Sequence, residues 1–333
     1  MEKILNELEK FEKIILVGGG TGGHISPIIA LHSMLSHQFS HQQFLWIGGK
    51  KSEEQKEAEK SQIPFVGIPI LKLTTTRSSK TLLYPFFLLK SIFSAYKILK
   101  SEQKNTPKIA IFSKGGPGAL AIGLAGKILG IPVYIHESDT IPGRSNLQMA
   151  KISEKIFLGF ELAKKFFPQN SCEVVGQILD PKLFEKNPNQ TIFWKTTKKH
   201  ILVICGSQGA KSVFEAISRS CQNLDAEWIV VLGKLNADMR PHFEQFQNIQ
   251  ILDWLEKSEQ NHIFLETDIA ITRGSATTLA ELDFFDIQKI IIPLPSAAKN
   301  HQFFNAKEYK AHGDTLLEQK NLSQLRETIE SFL

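Results

Sequence analysis

Short apolar runs alternate with longer stretches of mixed polarity along the whole chain. In the first half the runs fall at 13–18, 44–48, 108–113, 132–136, 155–159 and 173–175. In the second half they fall at 200–205, 227–232, 249–252, 268–272 and 289–293. Several, such as KIILV and HILVI, are continuously apolar, which predicts parallel strands covered on both faces. Strands that alternate with helical stretches in this way predict an α/β architecture of parallel sheets. The opening MEKILNELEKFEK keeps charges throughout and reads as a short amphipathic helix, not a signal peptide.

The alternation breaks once. From Asp180 to Lys199 the chain is polar and carries Pro181 and Pro188, the composition of a linker. Beyond it the pattern restarts with HILVI, a glycine turn and a helical stretch, just as the first half opens with KIILV, GGGTGG and a helical stretch. This weak repeat predicts two Rossmann-like domains, 1–180 and 181–333, facing a cleft. Both glycine turns then lie at the carboxyl ends of strands, where open α/β sheets bind ligands. A length of 333 residues also suits two cores better than one.

The first turn, GGGTGGHISP at 18–27, satisfies G-x-G-x-x-G through Gly18, Gly20 and Gly23. Ser26 is the predicted N-cap and Pro27 the first helical residue, which leaves His24 in the turn outside the helix. Glycines let a ligand approach bare backbone, and a helix N-terminus attracts anions. Three readings stand: a tight βα turn, a dinucleotide loop, and a loop for phosphate and sugar. The dinucleotide reading asks for an acid at the end of the second strand, where LWIGGKK offers glycines and lysines.

Similar turns recur. FSKGGPGALA (112–121) is followed by PVYIH and a polar cluster, His136, Glu137, Ser138 and Asp139, at a strand end. CGSQGAKS (205–212) offers backbone N–H groups and the Ser207 hydroxyl to a diphosphate. ITRGSATTLAE (271–281) sets Glu281 about two turns into a helix, where a carboxylate accepts two hydrogen bonds from a ribose diol. PLPSAAKNHQFFNA brings His301, Gln302 and Asn305 to a loop and helix start. A plain turn or a solvated side chain is the alternative at each.

Composition narrows the class. Hydrophobic residues at 42% and charged residues at 22% are globular values. A formal charge of +5 suits a polyphosphate ligand or an anionic membrane surface and is too weak to argue for nucleic acid. Cys172, Cys205 and Cys221 lack CxxC spacing, so neither a disulfide frame nor zinc is expected, and the compartment reads as cytoplasmic. No D-x-D motif occurs among the strand ends, so no metal or other cofactor is expected. In LLYPFFLLKSIFSAYKILK (82–100), Lys90 and Lys97 interrupt what would otherwise resemble a membrane span. Leu82, Leu83, Phe86, Phe87, Leu89 and Phe93 would form an apolar face fringed by Arg77, Lys80, Lys90 and Lys97, with the helix starting near Pro85 and Leu82 and Leu83 in the loop before it. That strip reads either as a core helix with snorkelling lysines or as a membrane-binding face.

In this order, GGTGGHISP, HESDTIPG, GSQGA, the helix reaching Glu281 and HQFFNA resemble the peptidoglycan N-acetylglucosaminyltransferases of the MurG family, across most of the chain. The resemblance implies the GT-B fold, with an acceptor-binding, membrane-associating domain at 1–180 and a UDP-GlcNAc-binding domain at 181–333. It implies inverting transfer of GlcNAc to the muramyl 4-hydroxyl of lipid I, giving lipid II, by a peripheral protein on the cytoplasmic face of the inner membrane. It places Thr21, Gly22 and Gly23 near the donor sugar and the acceptor diphosphate, with Gly20, Asp139 and Asn146 toward the acceptor. His24 matches the catalytic base, and Glu137 is a second candidate. Ser207 matches the diphosphate contact and Leu255 an apolar neighbour of the uracil. Ala276, Thr277, Thr278, Leu279, Ala280 and Glu281 match the donor helix, with Glu281 on the ribose, and Gln302 matches a sugar contact. Two positions depart from the family pattern. VGQILDP sets Asp180 where an arginine meets the donor phosphate, a role no carboxylate fills, which leaves Lys182 or Arg273 to compensate. SKGGPGALA is shorter than the family's second glycine loop. The competing readings are a related UDP-sugar glycosyltransferase with another lipid-linked acceptor, an NAD(P)-dependent oxidoreductase, and a non-catalytic nucleotide-sugar-binding or membrane-scaffold protein.

Overall fold

The computed structural model describes residues 1–70, 83–167, 171–206 and 210–333. The chain divides into two units, Met1–Asp180 and Pro181–Leu333.

The first unit carries seven strands: β1 (Lys13–Gly18), β2 (Gln43–Gly49), β3 (Phe65–Ile68), β4 (Ile109–Gly115), β5 (Val133–Glu137), β6 (Lys155–Leu158) and β7 (Cys172–Val174). They form one parallel sheet in the order β3-β2-β1-β4-β5-β6-β7. Its helices are α1 (Glu2–Leu8), α2 (Gly22–Gln38), α3 (Glu53–Lys60), α4 (Tyr84–Asn105), α5 (Ala119–Ile128) and α6 (Arg144–Met149). Continuous apolar strands need cover on both faces, and two clusters provide it. Ile15, Val17 and Ile111 pack with Ala95, Leu99 and Ile122 on one face, and Ile14, Leu16 and Phe112 with Leu8, Ile28 and Leu31 on the other.

The second unit repeats the plan with β8 (Lys199–Ile204), β9 (Ala226–Val231), β10 (Ile249–Leu252), β11 (Ile269–Thr272), β12 (Gln288–Ile291) and β13 (Thr315–Leu316). All neighbours are parallel, in the order β10-β9-β8-β11-β12-β13. The helices are α7 (Lys211–Ser220), α8 (Pro241–Glu244), α9 (Lys257–Leu265), α10 (Ala276–Phe284), α11 (His301–Ala311) and α12 (Leu325–Glu330). In each unit the first strand pairs with both the second and the fourth. The order therefore reverses there, and the turns after β1 and β8 sit at the switch points where such sheets take ligands.

Two expectations change. The segment 180–199 is not a loose linker, because Leu183 and Trp194 are buried in the second unit's core and Trp194 Nε1 donates to the Ile263 carbonyl at 3.2 Å. Two strands escape the apolar pattern. β3 is an edge strand bounded by Pro64 and Pro69, where proline costs no ladder bond, and β13 is two residues long. Cys205 and Cys221 are buried, and burial pushes their thiols up to about 12 and about 11.

Candidate functional site

The turn after β1 uses fewer glycines than its sequence suggests. Gly20 takes the left-handed region at φ +90, Thr21 is the extended N-cap, and α2 starts at Gly22. The expectation that Ser26 caps the helix and that His24 stands outside it is thus corrected. Gly22 and Gly23 adopt helical angles, the Thr21 carbonyl accepts from the His24 and Ile25 N–H groups (3.1 and 3.2 Å), and Pro27 falls inside the helix. His24 sits in the first turn, half-buried, with Nδ1 3.2 Å from Thr21 Oγ1. Thr21, Gly22 and Gly23 are exposed, and the leading N–H groups of a helix have no intrahelical acceptor.

A second glycine turn, between β4 and α5, packs on the first through main chain. Gly116 has φ +91, and a Cβ there would collide with the Gly19 carbonyl. A Cβ on Gly20 would stand 2.8 Å from Pro117. The penultimate residue of β4, the strand before this turn, is a buried lysine, Lys114, 1% exposed. Its ammonium donates to Ser138 Oγ and to His136 Nδ1, both at 2.5 Å. His136 Nε2 lies 2.9 Å from the Gly176 carbonyl, which only accepts, so Nε2 carries the proton and the ring is neutral. Burial, then the Lys114 charge, hold His136 well below the usual histidine range. Burial pushes Lys114 down to about 8, against the pull of Glu137 and Asp139.

Glu137, at the end of β5, is buried and braces its own loop. Its Oε1 accepts from the Asp139 N–H at 2.9 Å, and Oε2 accepts from Gly143 N–H and Asn146 Nδ2, both at 3.0 Å. Burial, then Asp139, raise it above the usual carboxylate range, while these hydrogen bonds act the other way. Asn146 Nδ2 also reaches the His136 carbonyl at 3.3 Å, which fixes the amide's orientation, and its buried Oδ1 has no hydrogen-bond partner among the described residues.

In the second unit Gly206 turns with φ +79 after β8, and Ser207 lies outside the described residues. Ser275 is the N-cap residue of α10, whose residues Ala276 and Leu279 are buried, while Thr277, Thr278 and Ala280 are half-buried. Glu281 is buried and paired with Lys257, which also donates to Gln260 Oε1 at 2.9 Å. Gln260 Nε2 in turn donates to the carbonyl of Leu255, itself 2% exposed, at 3.1 Å. The turns after β11 and β12 interlock. A Cβ on Gly274 would collide with the Gln302 carbonyl, Asn305 Nδ2 donates to the Gly274 carbonyl at 3.1 Å, and Gln302 Oε1 accepts from Leu294 N–H at 2.9 Å. Arg273, directly after β11, is buried. Its Nη1 donates to the Ile292 carbonyl and to Gln319 Oε1 (3.1 and 2.8 Å).

Lys114, Lys257 and Glu54 (described below) are the site residues that sequence reasoning missed. A lysine inside an apolar strand, IAIFSK, was the available signal for the first. The other two act through contacts made only in the folded chain.

Residues 14–158 match the glycosyltransferase family 28 N-terminal domain, and residues 200–333 its C-terminal domain. The UDP-N-acetylglucosamine–N-acetylmuramyl-(pentapeptide) pyrophosphoryl-undecaprenol N-acetylglucosamine transferase of Sulfurihydrogenibium sp. is 30% identical over 94% of this chain and 87% of its own length. The transferase of the same name from Lachnoclostridium phytofermentans is 32% identical over 91% and 84%. The crystal structure of Acinetobacter baumannii MurG superposes with a TM-score of 0.75 at 25% identity, over 96% of this chain and 90% of that one. A UDP-N-acetylglucosamine 2-epimerase from Listeria monocytogenes has a TM-score of 0.66 at 13% identity, a likeness of fold alone. The two family 28 matches, over two parallel Rossmann-like units with glycine turns at their switch points, show a GT-B glycosyltransferase of that family. Within that class the chain belongs to the MurG family.

Proposed function

We infer that this chain transfers N-acetylglucosamine from UDP-N-acetylglucosamine to the muramyl 4-hydroxyl of undecaprenyl-pyrophosphoryl-MurNAc-pentapeptide, with inversion. The observation that carries the reading is the family match over both units, with the site loops at both switch points. Inversion needs a base on the attacking hydroxyl as the new bond forms. His24 takes that role. In the tautomer whose Nδ1–H donates to Thr21 Oγ1, 3.2 Å away, Nε2 is the basic nitrogen, and a helix N-terminus favours the neutral ring. Glu137 holds the 138–143 loop in shape, and Asp139 and Asn146 line the acceptor side with Gly20.

The second unit is the donor domain in this reading. Glu281 takes the ribose diol, Leu255 packs by the uracil, Gln302 meets the sugar, and Ser207 meets the diphosphate. Lys257 is the cation that orients Glu281. NAD(P) chemistry has no support from the family match.

Among the described residues no helix is long and apolar enough to cross a membrane. An undecaprenyl acceptor stays in the bilayer, so the protein must come to it. The exposed strip on α4 supports peripheral binding at the cytoplasmic face of the inner membrane. Leu83, Phe86, Leu89 and Phe93 are 54%, 66%, 66% and 60% exposed. Lys90 and Lys97 are exposed beside them, and Lys97 sits 4.4 Å over the Phe93 ring. Phe87 is half-buried, while Arg77, Lys80 and Leu82 lie outside the described residues. Basic residues near an anionic surface contribute about 1 kcal/mol each.

The test is UDP release with purified lipid I as acceptor, with the product's mass measured. A mass gain of one N-acetylhexosamine is expected. UDP-N-acetylglucosamine left intact in the presence of lipid I overturns the reading.

A further inference from the structure

No acid directly follows β2 in sequence, yet the fold brings one to its end. Glu54, the second residue of α3, is fully buried at 0% exposure. Its Oε1 accepts from the Gly49 N–H at 3.2 Å, and its Oε2 from the Gly20 N–H at 3.3 Å. No cation pairs with it among the described residues. A carboxylate is expensive to bury unless hydrogen bonds meet it, so these two N–H groups are what make the position tenable.

Glycines clear its space. A Cβ on Gly19 would stand 2.6 Å from Glu54 Cδ and 2.7 Å from Oε1, and one on Gly48 would stand 2.9 Å from Cγ. A Cβ on Gly49 would press on Oε1 at 3.3 Å. The helix that delivers Glu54 is itself pinned to the strand end. Ser52 Oγ donates to the Gly49 carbonyl at 2.7 Å and accepts from the Gln55 N–H at 3.3 Å. Part of the glycine content around the loop therefore accommodates a side chain of the protein and leaves less of it to a ligand.

Between Gly18 and Gly23 only Thr21 has a side chain, so the loop has little of its own with which to hold a shape. Trp46 Nε1 holds its first carbonyl, that of Gly18, at 3.0 Å, and Glu54 holds the N–H of Gly20 one residue before the N-cap. We propose that Glu54 is a positioning residue for transfer, gripping Gly20 so that Thr21 to His24 present their N–H groups and imidazole in one fixed place. By occupying the Gly20 N–H it also withholds that donor from substrate, which leaves the N–H groups of Gly22 and Gly23 for an anion. This inference rests on the proposed transfer reaction for its kinetic arm and on no reaction for its structural arm.

The experiment uses the full chain and four variants, Glu54→Ala, Glu54→Gln, Gly19→Ala and the double variant Gly19→Ala/Glu54→Ala, with folding checked by thermal melting. Glu54→Ala is expected to lower kcat by about 10²-fold, the scale of a small misplacement of reacting groups, with KM for UDP-N-acetylglucosamine held within about twofold. Glu54→Gln keeps one acceptor oxygen and is expected to lose less. Gly19→Ala drives a methyl into the carboxylate and is expected to mimic Glu54→Ala. Once Glu54 is gone the methyl has room, so the double variant is expected to be no slower than Glu54→Ala alone. Wild-type kcat in Gly19→Ala, or losses that multiply in the double variant, overturns the proposal. If Glu54→Ala does not fold, Glu54→Gln and Gly19→Ala carry the comparison.

The structural arm reads amide exchange without substrate. Exchange is expected to quicken at least about tenfold at both Gly20 and Gly49 in Glu54→Ala, and at whichever of the two loses its acceptor oxygen in Glu54→Gln, with Ile15 of β1 unchanged. Unchanged exchange at both glycines overturns the proposal even if transfer is lost. Should the wild-type chain transfer nothing, the reaction assignment falls and the exchange result still judges Glu54.

Discussion

Thr21 Oγ1 and His24 Nδ1 lie 3.2 Å apart on the first turn of α2, so the threonine that caps the helix also sets the histidine's ring. His24→Ala is expected to lower turnover by about 10²–10⁴-fold, the range for a lost general base, with donor affinity nearly unchanged. Steady-state kinetics with lipid I check this, and near-normal turnover removes His24 from the base's role. Thr21→Val keeps the shape and frees Nδ1, so a smaller loss is expected there.

Glu281 is held by the Lys257 ammonium. Glu281→Ala is expected to weaken UDP binding by roughly 1.5–3 kcal/mol, as for hydrogen bonds to a charged group. Calorimetry with UDP measures it, and equal affinity in the variant returns Glu281 to a structural partner of Lys257.

Much of this was legible in the chain and some was not. The apolar runs locate the interior strands because a parallel strand buried on both faces has no polar alternation to hide it. β3 and β13 escape because an edge strand flanked by prolines and a strand of two residues leave no run to read. The start of α2 was misread because glycine serves a turn and a helix equally, so the string GGGTGG has no internal mark where one becomes the other. His24, Glu281 and Gln302 stand out by their place beside turns. Glu54 and Lys257 do not, because their partners at Gly20 and Glu281 are 34 and 24 residues away.

The α4 strip gives a clean separation of packing from binding. Phe86→Ser with Leu89→Ser and Phe93→Ser touches only residues at least 60% exposed. Folding stability is expected to shift by about 0.5 kcal/mol or less for each. Sedimentation with vesicles containing anionic lipid is expected to fall sharply, with UDP binding retained. Pelleting at the wild-type level shows that the strip is not the anchor.

Lys114 makes a prediction about alkaline stability. Its folded pKa, about 8, lies below the ordinary 10.5. Below pH 8 the ammonium is charged in both states and the native state bears the full cost of burying it. As pH rises from 8 toward 10.5 the native state sheds its proton first, and that cost falls. The stability difference, wild type minus Lys114→Met, is therefore expected to move in favour of wild type between pH 7.5 and pH 10 (the two test conditions), by on the order of 2 kcal/mol. Denaturant titrations at both pH values measure it, and a constant difference shows that the burial cost is met elsewhere.

The two glycine turns of the first unit touch through main chain at Gly116 and Gly19, and this divides their future under mutation. A lineage that replaces Gly19 meets a side chain, Glu54, which the change Glu54→Asp shortens while keeping the carboxylate. A lineage that replaces Gly116 meets a carbonyl oxygen in another turn, and no substitution elsewhere removes a carbonyl. Loss at 19 is thus repairable by a partner change, whereas at 116 the way back is reversion or moving the whole turn. Suppressor screens starting from the two alanine variants should return second-site revertants for the first and true revertants for the second.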